Sequence, residues 1–422
     1  MRASSVSAAA PISALGLTQI VGYGTLYYSF PILAPSIAAD LGLRLDLVFG
    51  IYSLSLLAGG LCAPVIGRRL DRHGAASVMA VGSLLSALLF VLSAWSPSLA
   101  IFVLAIVLQQ IAAGMVQYQA AFAALVQLDA QRAPRTITAL TLIAGFASSL
   151  FWPISAGLSG WLSWRDIHLV FAALHLALCL PLHLWLRGRG PLERPSGSAP
   201  NGAAVIGVLA PAARRRGMVL VGLGFAVVGF TLTAFLAHLV PLLQSMDHGA
   251  AAVGIAALFG PAQVLSRVLT IVIGPRLSPP GLAALSGLLI VLGVLILAGG
   301  GAYPIGAVAS TLCLGLGSGI NSIAQGSLPL HLFGSQAYGL VTGKLAAARL
   351  AFGAAAPFLF AFLLQALGSG PALLLSAGLG ALGFLAFLAV FTTARQPVSL
   401  KIPDLEVARA DERVTQREVT PL

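Results

Sequence analysis

Twelve stretches of about 20 apolar residues, each long enough to cross a hydrocarbon core of about 30 Å as a helix, follow one another along this chain with short polar breaks between them. They cover 12–38, 47–66, 76–95, 98–126, 137–161, 167–187, 217–244, 251–274, 281–300, 303–330, 337–366 and 370–393. No Asp or Glu falls inside any of them. Apart from Arg187, which closes the sixth, charge within them is confined to Arg267, Lys344 and Arg349. Only 8% of the 422 residues are charged, whereas a water-soluble surface needs about a quarter. A transmembrane barrel would show segments of about ten residues with alternating polarity, and that pattern is absent. The expected fold class is an all-α membrane protein of twelve transmembrane helices.

The net charge of +11 would raise nucleic-acid binding in a soluble protein, but its placement gives another reading. With both termini on the cytoplasmic side, eighteen of the 23 Lys and Arg residues fall in cytoplasmic segments, while Arg44 and Arg165 alone face outward. The expected location is therefore the inner (cytoplasmic) membrane, with the lipid bilayer rather than a nucleic acid as partner. Between Arg2 and Asp40 there is no charge, which is too long an apolar run for a cleaved signal and reads as the first span. Cys62, Cys179 and Cys313 all sit in apolar runs and suggest neither disulfides nor a thiolate metal site.

The longest internal break, Arg187 to Arg216, is rich in Gly, Pro, Ser and Arg and reads as a cytoplasmic linker. It divides the chain into a six-helix unit over 1–186, the linker 187–216, a second six-helix unit over 217–393 and a mixed-charge tail over 394–422. Val65-Ile66-Gly67-Arg68-Arg69-Leu70 and Val272-Ile273-Gly274-Pro275-Arg276-Leu277 match at five of six positions with an offset of 207. The same offset lays Gly22-Tyr23 on Gly229-Phe230. Two related halves in parallel orientation follow, an architecture of secondary transporters.

Gly67-Arg68-Arg69-Leu70-Asp71-Arg72-His73-Gly74 between spans two and three resembles the loop signature of the major facilitator superfamily. Ala75 and Ala76 depart from it where basic residues usually follow. The resemblance extends over the twelve spans and the central linker and implies two pseudo-symmetric six-helix bundles. It also implies an inner gate at Gly67, Asp71, Arg72 and Gly74, with the acidic group meeting a helix N-terminus. The drug/proton antiporter signatures are missing: Gln110 with Gly114 stands in span four and Trp152-Pro153 in span five. Gln263 and Arg267 in span eight, with Tyr338-Gly339-Leu340-Val341-Thr342-Gly343 entering span eleven, resemble the monocarboxylate-transporter branch, although Gln263 stands where that branch has an Asp.

Charge at membrane depth costs about 2.5–3.5 kcal/mol on insertion scales, so each intramembrane cation calls for a reason. Arg267 and Arg349 lie too deep to reach the interface freely, while Lys344 can snorkel. Cations without an intramembrane anion favour an anionic solute and remove the usual proton-binding carboxylate. By resemblance, spans one, four, seven and ten line the cavity. They offer Gln19, Tyr23 and Tyr27 at i, i+4, i+8; Gln110, Gln117 and Tyr118; Thr231 and His238; and Asn321 and Gln325. At each position plain helix–helix bonding is the competing explanation. His168, His175 and His183 share span six without further ligands at metal-binding spacing, and no phosphate-binding loop is present. No cofactor is expected.

The reading is a monomeric secondary transporter, not an enzyme, for a small organic solute, expected to be an anion such as a monocarboxylate. Proton co-transport is left open. An aromatic or heterocyclic metabolite such as a vitamin, or efflux of a toxic compound or oxyanion, remains as the alternative. A polytopic sensor or enzyme is remote, because no paired carboxylates or nucleophile–base pair lie at depth.

Overall fold

The computed structural model describes residues 9–189, 204–273 and 277–394, and these are helical nearly throughout. Helix α1 spans 9–40 as Ala9–Tyr23, a π-helical turn Gly24–Tyr28, a bend at Ser29 and Phe30–Asp40. Then follow α2 (Leu45–His73), α3 (Ala75–Ala94), α4 (Leu99–Leu128, broken at Gln117), α5 (Ala133–Ser159, broken at Gly145 and Phe146) and α6 (Trp164–Arg187, with a π turn His175–Cys179). The second set is α7 (Pro211–His248), α8 (Ala251–Ile273), α9 (Pro279–Gly300), α10 (Pro304–Phe333), α11 (Tyr338–Leu367) and α12 (Ser369–Ala394). Eleven of these are each long and apolar enough to cross a membrane, and α1, divided at Ser29, makes the twelfth crossing.

Two boundaries differ from the sequence expectation for physical reasons. Gly67–His73, expected as a loop, forms the last two turns of α2, because nothing before Gly74 stops the helix. Gly74, at φ 82°, makes the turn alone. Helix α7 begins at Pro211, a residue suited to a first helical turn, so Arg214, Arg215 and Arg216 lie on the helix rather than in a linker. Just before it the chain pairs with the α10–α11 connection: Val208 N–H donates to the His331 carbonyl (3.0 Å), Leu209 to Leu332 (3.1 Å), and Ser335 to Val205 (2.9 Å). The remainder of the expected linker and tail, 190–203 and 395–422, and residues 274–276 of the internal repeat lie outside the described residues.

In an apolar solvent every freed backbone group needs a protein partner. At the π turn of α1 the Leu26 carbonyl lies five residues before Pro31, which has no N–H to offer. It accepts instead from the Gln110 side chain (2.7 Å) and the Tyr52 hydroxyl (3.3 Å). The π turns of α1 and α6 lie side by side, with Thr25 Oγ1 2.9 Å from His175 Nε2. Ser83 and Ser93 of α3 hold His183 and His168 in the same way, at 2.8 and 2.7 Å. The three histidines of α6 thus tie helices together.

Helices α1–α6 and α7–α12 form two bundles, and the apolar core of the first also takes in Leu330 of α10 and Tyr338 of α11. They meet along α2 and α11, and through the first half of α5 against α8 and α10. Contact is closest at one end, called here the latch end. There Asp71 of α2 accepts the backbone N–H groups of Gly339 (2.7 Å) and Leu340 (2.8 Å) at the start of α11. Gly67 abuts the Gly339 carbonyl, Gly343 abuts Ala63, and Gly326 of α10 fits between Phe122 and Ile137. The outer halves of α1 (Phe30–Asp40) and α5 (Ala147–Ser159) pack mainly inside their own bundle, so the seam is closed at the latch end. A side chain at Gly67 would meet backbone with no room to yield, at a cost of about 1–3 kcal/mol. Gly67→Val should therefore lengthen the distance between spin labels at the latch ends of α2 and α11, and an unchanged distribution would contradict the packing described.

Candidate functional site

The seam between the bundles carries the charge that neither core absorbs. Arg267 of α8 is only 3% exposed, and its Nε and Nη1 have no hydrogen-bond partner among the described residues. Its Nη2 reaches Ser322 Oγ of α10 at 3.5 Å, the outer limit of a hydrogen bond. The guanidinium crosses into the other bundle and fills the space over Gly145, in the break of α5, where a Cβ would coincide with Nη1. Only a glycine there leaves room for it. Arg349 of α11 is half-buried, packs its stem on Gly229 of α7, and makes no hydrogen bond or ion pair with a described residue. Lys344, nearer the latch end, is exposed, in keeping with a snorkelling side chain.

Opposite these cations stands a group of rings from the first bundle. Tyr23 and Tyr118 have centroids 4.7 Å apart, Tyr27 and Tyr28 5.2 Å, Tyr23 and Tyr28 6.4 Å, and Tyr28 and Trp152 of α5 6.1 Å. Arg267 lies within electrostatic reach of Tyr28 and Tyr118, and Arg349 of Tyr23 and Tyr27. The hydroxyls of Tyr27, Tyr28 and Tyr118 hydrogen-bond no described residue and remain available as donors. Sequence periodicity points to Tyr23 and Tyr27 but not to Tyr28 or Trp152. The π turn adds a residue to the repeat of α1 and brings the neighbour of Tyr27 into the group as well.

The other residues singled out in the sequence divide into two sets. Gln19, fully buried, donates to the Val116 carbonyl (2.6 Å) and leaves its Oε1 without a partner. Gln117 sits at the break of α4 with a free Nε2, and Asn321 of α10 keeps a free Oδ1. Gln325 is half-buried and makes no hydrogen bond among the described residues. The second set is spent on structure. Gln110 covers the Leu26 carbonyl, and Gln263 donates to Ser318 Oγ of α10 (2.7 Å). His238 donates to the Pro357 carbonyl of α11 (2.9 Å). Thr231 bonds back to Val227 (3.1 Å) and faces Gly380 of α12, away from the seam. Of the gate residues, Asp71 and Gly67 make the cross-bundle contacts and Gly74 the turn, while Arg72 is exposed and has no partner among the described residues. Ala337, the residue before α11, offers no capping side chain, so Asp71 supplies the cap from the other bundle. No group of three or more His, Cys, Asp or Glu side chains able to hold a metal occurs among the described residues.

The family model of the Major Facilitator Superfamily matches residues 15–357. The chain belongs to this superfamily. As one of its members it is a multi-pass membrane transporter rather than an enzyme, and its two bundles are the halves of the superfamily fold. The crystal structure of the human organic anion transporter MFSD10 (TETRAN) superposes with a TM-score of 0.64 at 20% identity, over 90% of this chain and 98% of that one. FucP in the outward conformation gives 0.66 at 17% identity, over 90% and 98%. The proton:xylose symporter XylE bound to 6-bromo-6-deoxy-D-glucose gives 0.66 at 14%, over 92% and 97%. No curated protein matches the chain in sequence.

Two outcomes check this geometry. Gly145→Ala places a methyl group where Nη1 lies, at an ordinary helical φ of −60°, so the fold should hold while Arg267 is displaced. Transport is expected to fall about tenfold or more with the melting temperature nearly unchanged, a tenfold loss corresponding to about 1.4 kcal/mol. Asp71→Asn should weaken two charge-assisted bonds and shift the latch toward the open form, also by about tenfold. Faster labelling of a thiol placed at the latch end would report it.

Proposed function

We propose that this superfamily member is a secondary transporter that carries a small organic anion, a monocarboxylate being the simplest case, by alternating access. The observation that carries the reading is Arg267: a guanidinium buried at the seam, with two nitrogens unpartnered and no carboxylate at membrane depth among the described residues. A carboxylate accepts two parallel N–H bonds from such a group and cancels its charge, while a neutral solute leaves the charge bare. Gln19, Tyr23, Gln117, Asn321, Gln325 and Arg349 would shape the rest of the site, each with a donor or acceptor to spare. The latch end, rich in arginine, would face the cytoplasm of the cell's inner membrane, with Gly67, Asp71, Arg72 and Gly74 as the inner gate. The transporter would work as a monomer, with units near 1–186 and 217–393 rocking about the site.

The organic anion transporter among the similar folds supports this reading. The fucose and xylose symporters, at equal likeness, show that the fold by itself leaves the solute open. The ring group of Tyr23, Tyr27, Tyr28, Tyr118 and Trp152 also favours a flat or aromatic body on the anion. With no carboxylate at membrane depth among the described residues to carry a proton, coupling would fall to a proton on the substrate itself.

Uptake into proteoliposomes tests the reading by pairing each acid with its amide. The acid should compete and the amide should not. Arg267→Gln should raise the KM for the acid by about 10–100-fold, as expected for losing a charge-assisted bond of about 1.5–3 kcal/mol. Equal competition by acid and amide would refute anion recognition.

A further inference from the structure

The two arginines differ in one respect that a single shared site does not explain. With the latch closed, Arg267 is sealed: 3% exposed, Nη1 seated over Gly145 of the opposite bundle and Nη2 on Ser322 of its own. Arg349 is half-buried and without a partner among the described residues, and Tyr27, within its electrostatic reach, is 37% exposed. An anion arriving from the end opposite the latch therefore meets Arg349 and the Tyr23 and Tyr27 hydroxyls, and finds no open nitrogen on Arg267.

We propose that the two cations serve opposite states: Arg349 with Tyr23 and Tyr27 receives the anion while the latch is closed, and Arg267 holds it once the latch is open. This rests on the anion reading above. The physical link is Gly145. It belongs to α5 of the first bundle and Arg267 to α8 of the second, and both lie in the half of the seam that must part when the latch end opens. Parting α5 from α8 lifts the guanidinium off Gly145 and frees Nε and Nη1 together. A ligand shifts a two-state equilibrium only through unequal affinity for the two states. An anion bound to Arg267 favours the open latch because the closed latch hides its partner, and an anion on Arg349 has no such effect.

The test is sided transport. KM for the acid is measured separately from the latch side and from the opposite side, in proteoliposomes of defined orientation, for wild type, Arg349→Gln and Arg267→Gln. Arg349→Gln should raise KM more than tenfold from the opposite side and far less from the latch side, and Arg267→Gln should do the reverse. Arg349→Lys and Arg267→Lys, which keep the charge, should each recover most of the sided loss and so rule out general misfolding. Equal rises from both sides in both Gln variants would overturn the division of roles and leave anion recognition intact. Acid and amide competing equally from both sides would remove both readings. A second readout uses thiol access in a background lacking Cys62, Cys179 and Cys313. A membrane-impermeant reagent added opposite the latch should modify Arg349→Cys at least tenfold faster than Arg267→Cys. Addition of Asp71→Asn should let it reach Arg267→Cys from the latch side. Equal rates at both positions would count against the proposal.

Discussion

Lipid offers no hydrogen bonds, and that constraint accounts for most polar side chains in this protein. Each departure from a straight helix frees a backbone group that a neighbour must meet. Gln110 and Tyr52 meet Leu26 at the π turn, and His238 adds a bond to the Pro357 carbonyl within α11. The histidines of α6 pair with hydroxyls of α1 and α3. Once these are accounted for, few polar atoms remain at depth; those of Gln19, Gln117 and Asn321 belong to helices expected to face the cavity, and those of Arg267 lie on α8 at the seam. In a protein so sparing of polarity, the residues left over identify the site better than the residues present.

The closed end of the seam follows a second economy. Helix α11 starts after Ala337, a left-handed residue with no side-chain acceptor, and its exposed N–H groups are met by Asp71 from the facing bundle. A helix cap that ordinarily stabilises its own helix has become a contact between two moving bodies. It is worth on the order of 1–2 kcal/mol, enough to bias closure and weak enough to release. Glycines at 67, 326, 339 and 343 allow the backbones close enough for the bond to form. Arg72 adds no bond of its own, and neither alanine after Gly74 supplies the basic partner usual in the family, so closure leans on the carboxylate and on glycine packing.

Much of this was legible before any coordinates. Apolar runs give the twelve crossings because their length is dictated by the bilayer, and the meeting of Asp71 with a helix N-terminus came from the resemblance of its motif, not from the residues alone. What the sequence hid are features that depend on three-dimensional register. The π turn in α1 cannot be read from composition, so spacing does not bring Tyr28 beside Tyr23 and Tyr27, and Trp152 joins them from another helix. Gln110 shares α4 with Gln117 and Tyr118, and Thr231 and His238 lie on α7, a helix expected to line the cavity, but a helix face inferred from spacing does not show which neighbour it meets. Gly145 was invisible for a simpler reason: a glycine matters here for the atom it lacks, and only the position of Arg267 reveals that.

The relation between Arg267 and Gly145 also explains how a costly charge can persist in the seam. A buried guanidinium with two idle nitrogens raises the energy of the closed state by an amount that packing and the Asp71 cap must offset. Replacing it by an apolar residue would stabilise closure and remove the reason to leave it. On the anion reading proposed above, keeping it would bring the two arrangements of the bundles closer in energy, and a carboxylate that neutralised the cation would bind the two unequally and so shift the seam. On the same reading the uncompensated charge would be the source of the conformational coupling, and the shortage of anions at membrane depth among the described residues would make the substrate the counter-ion.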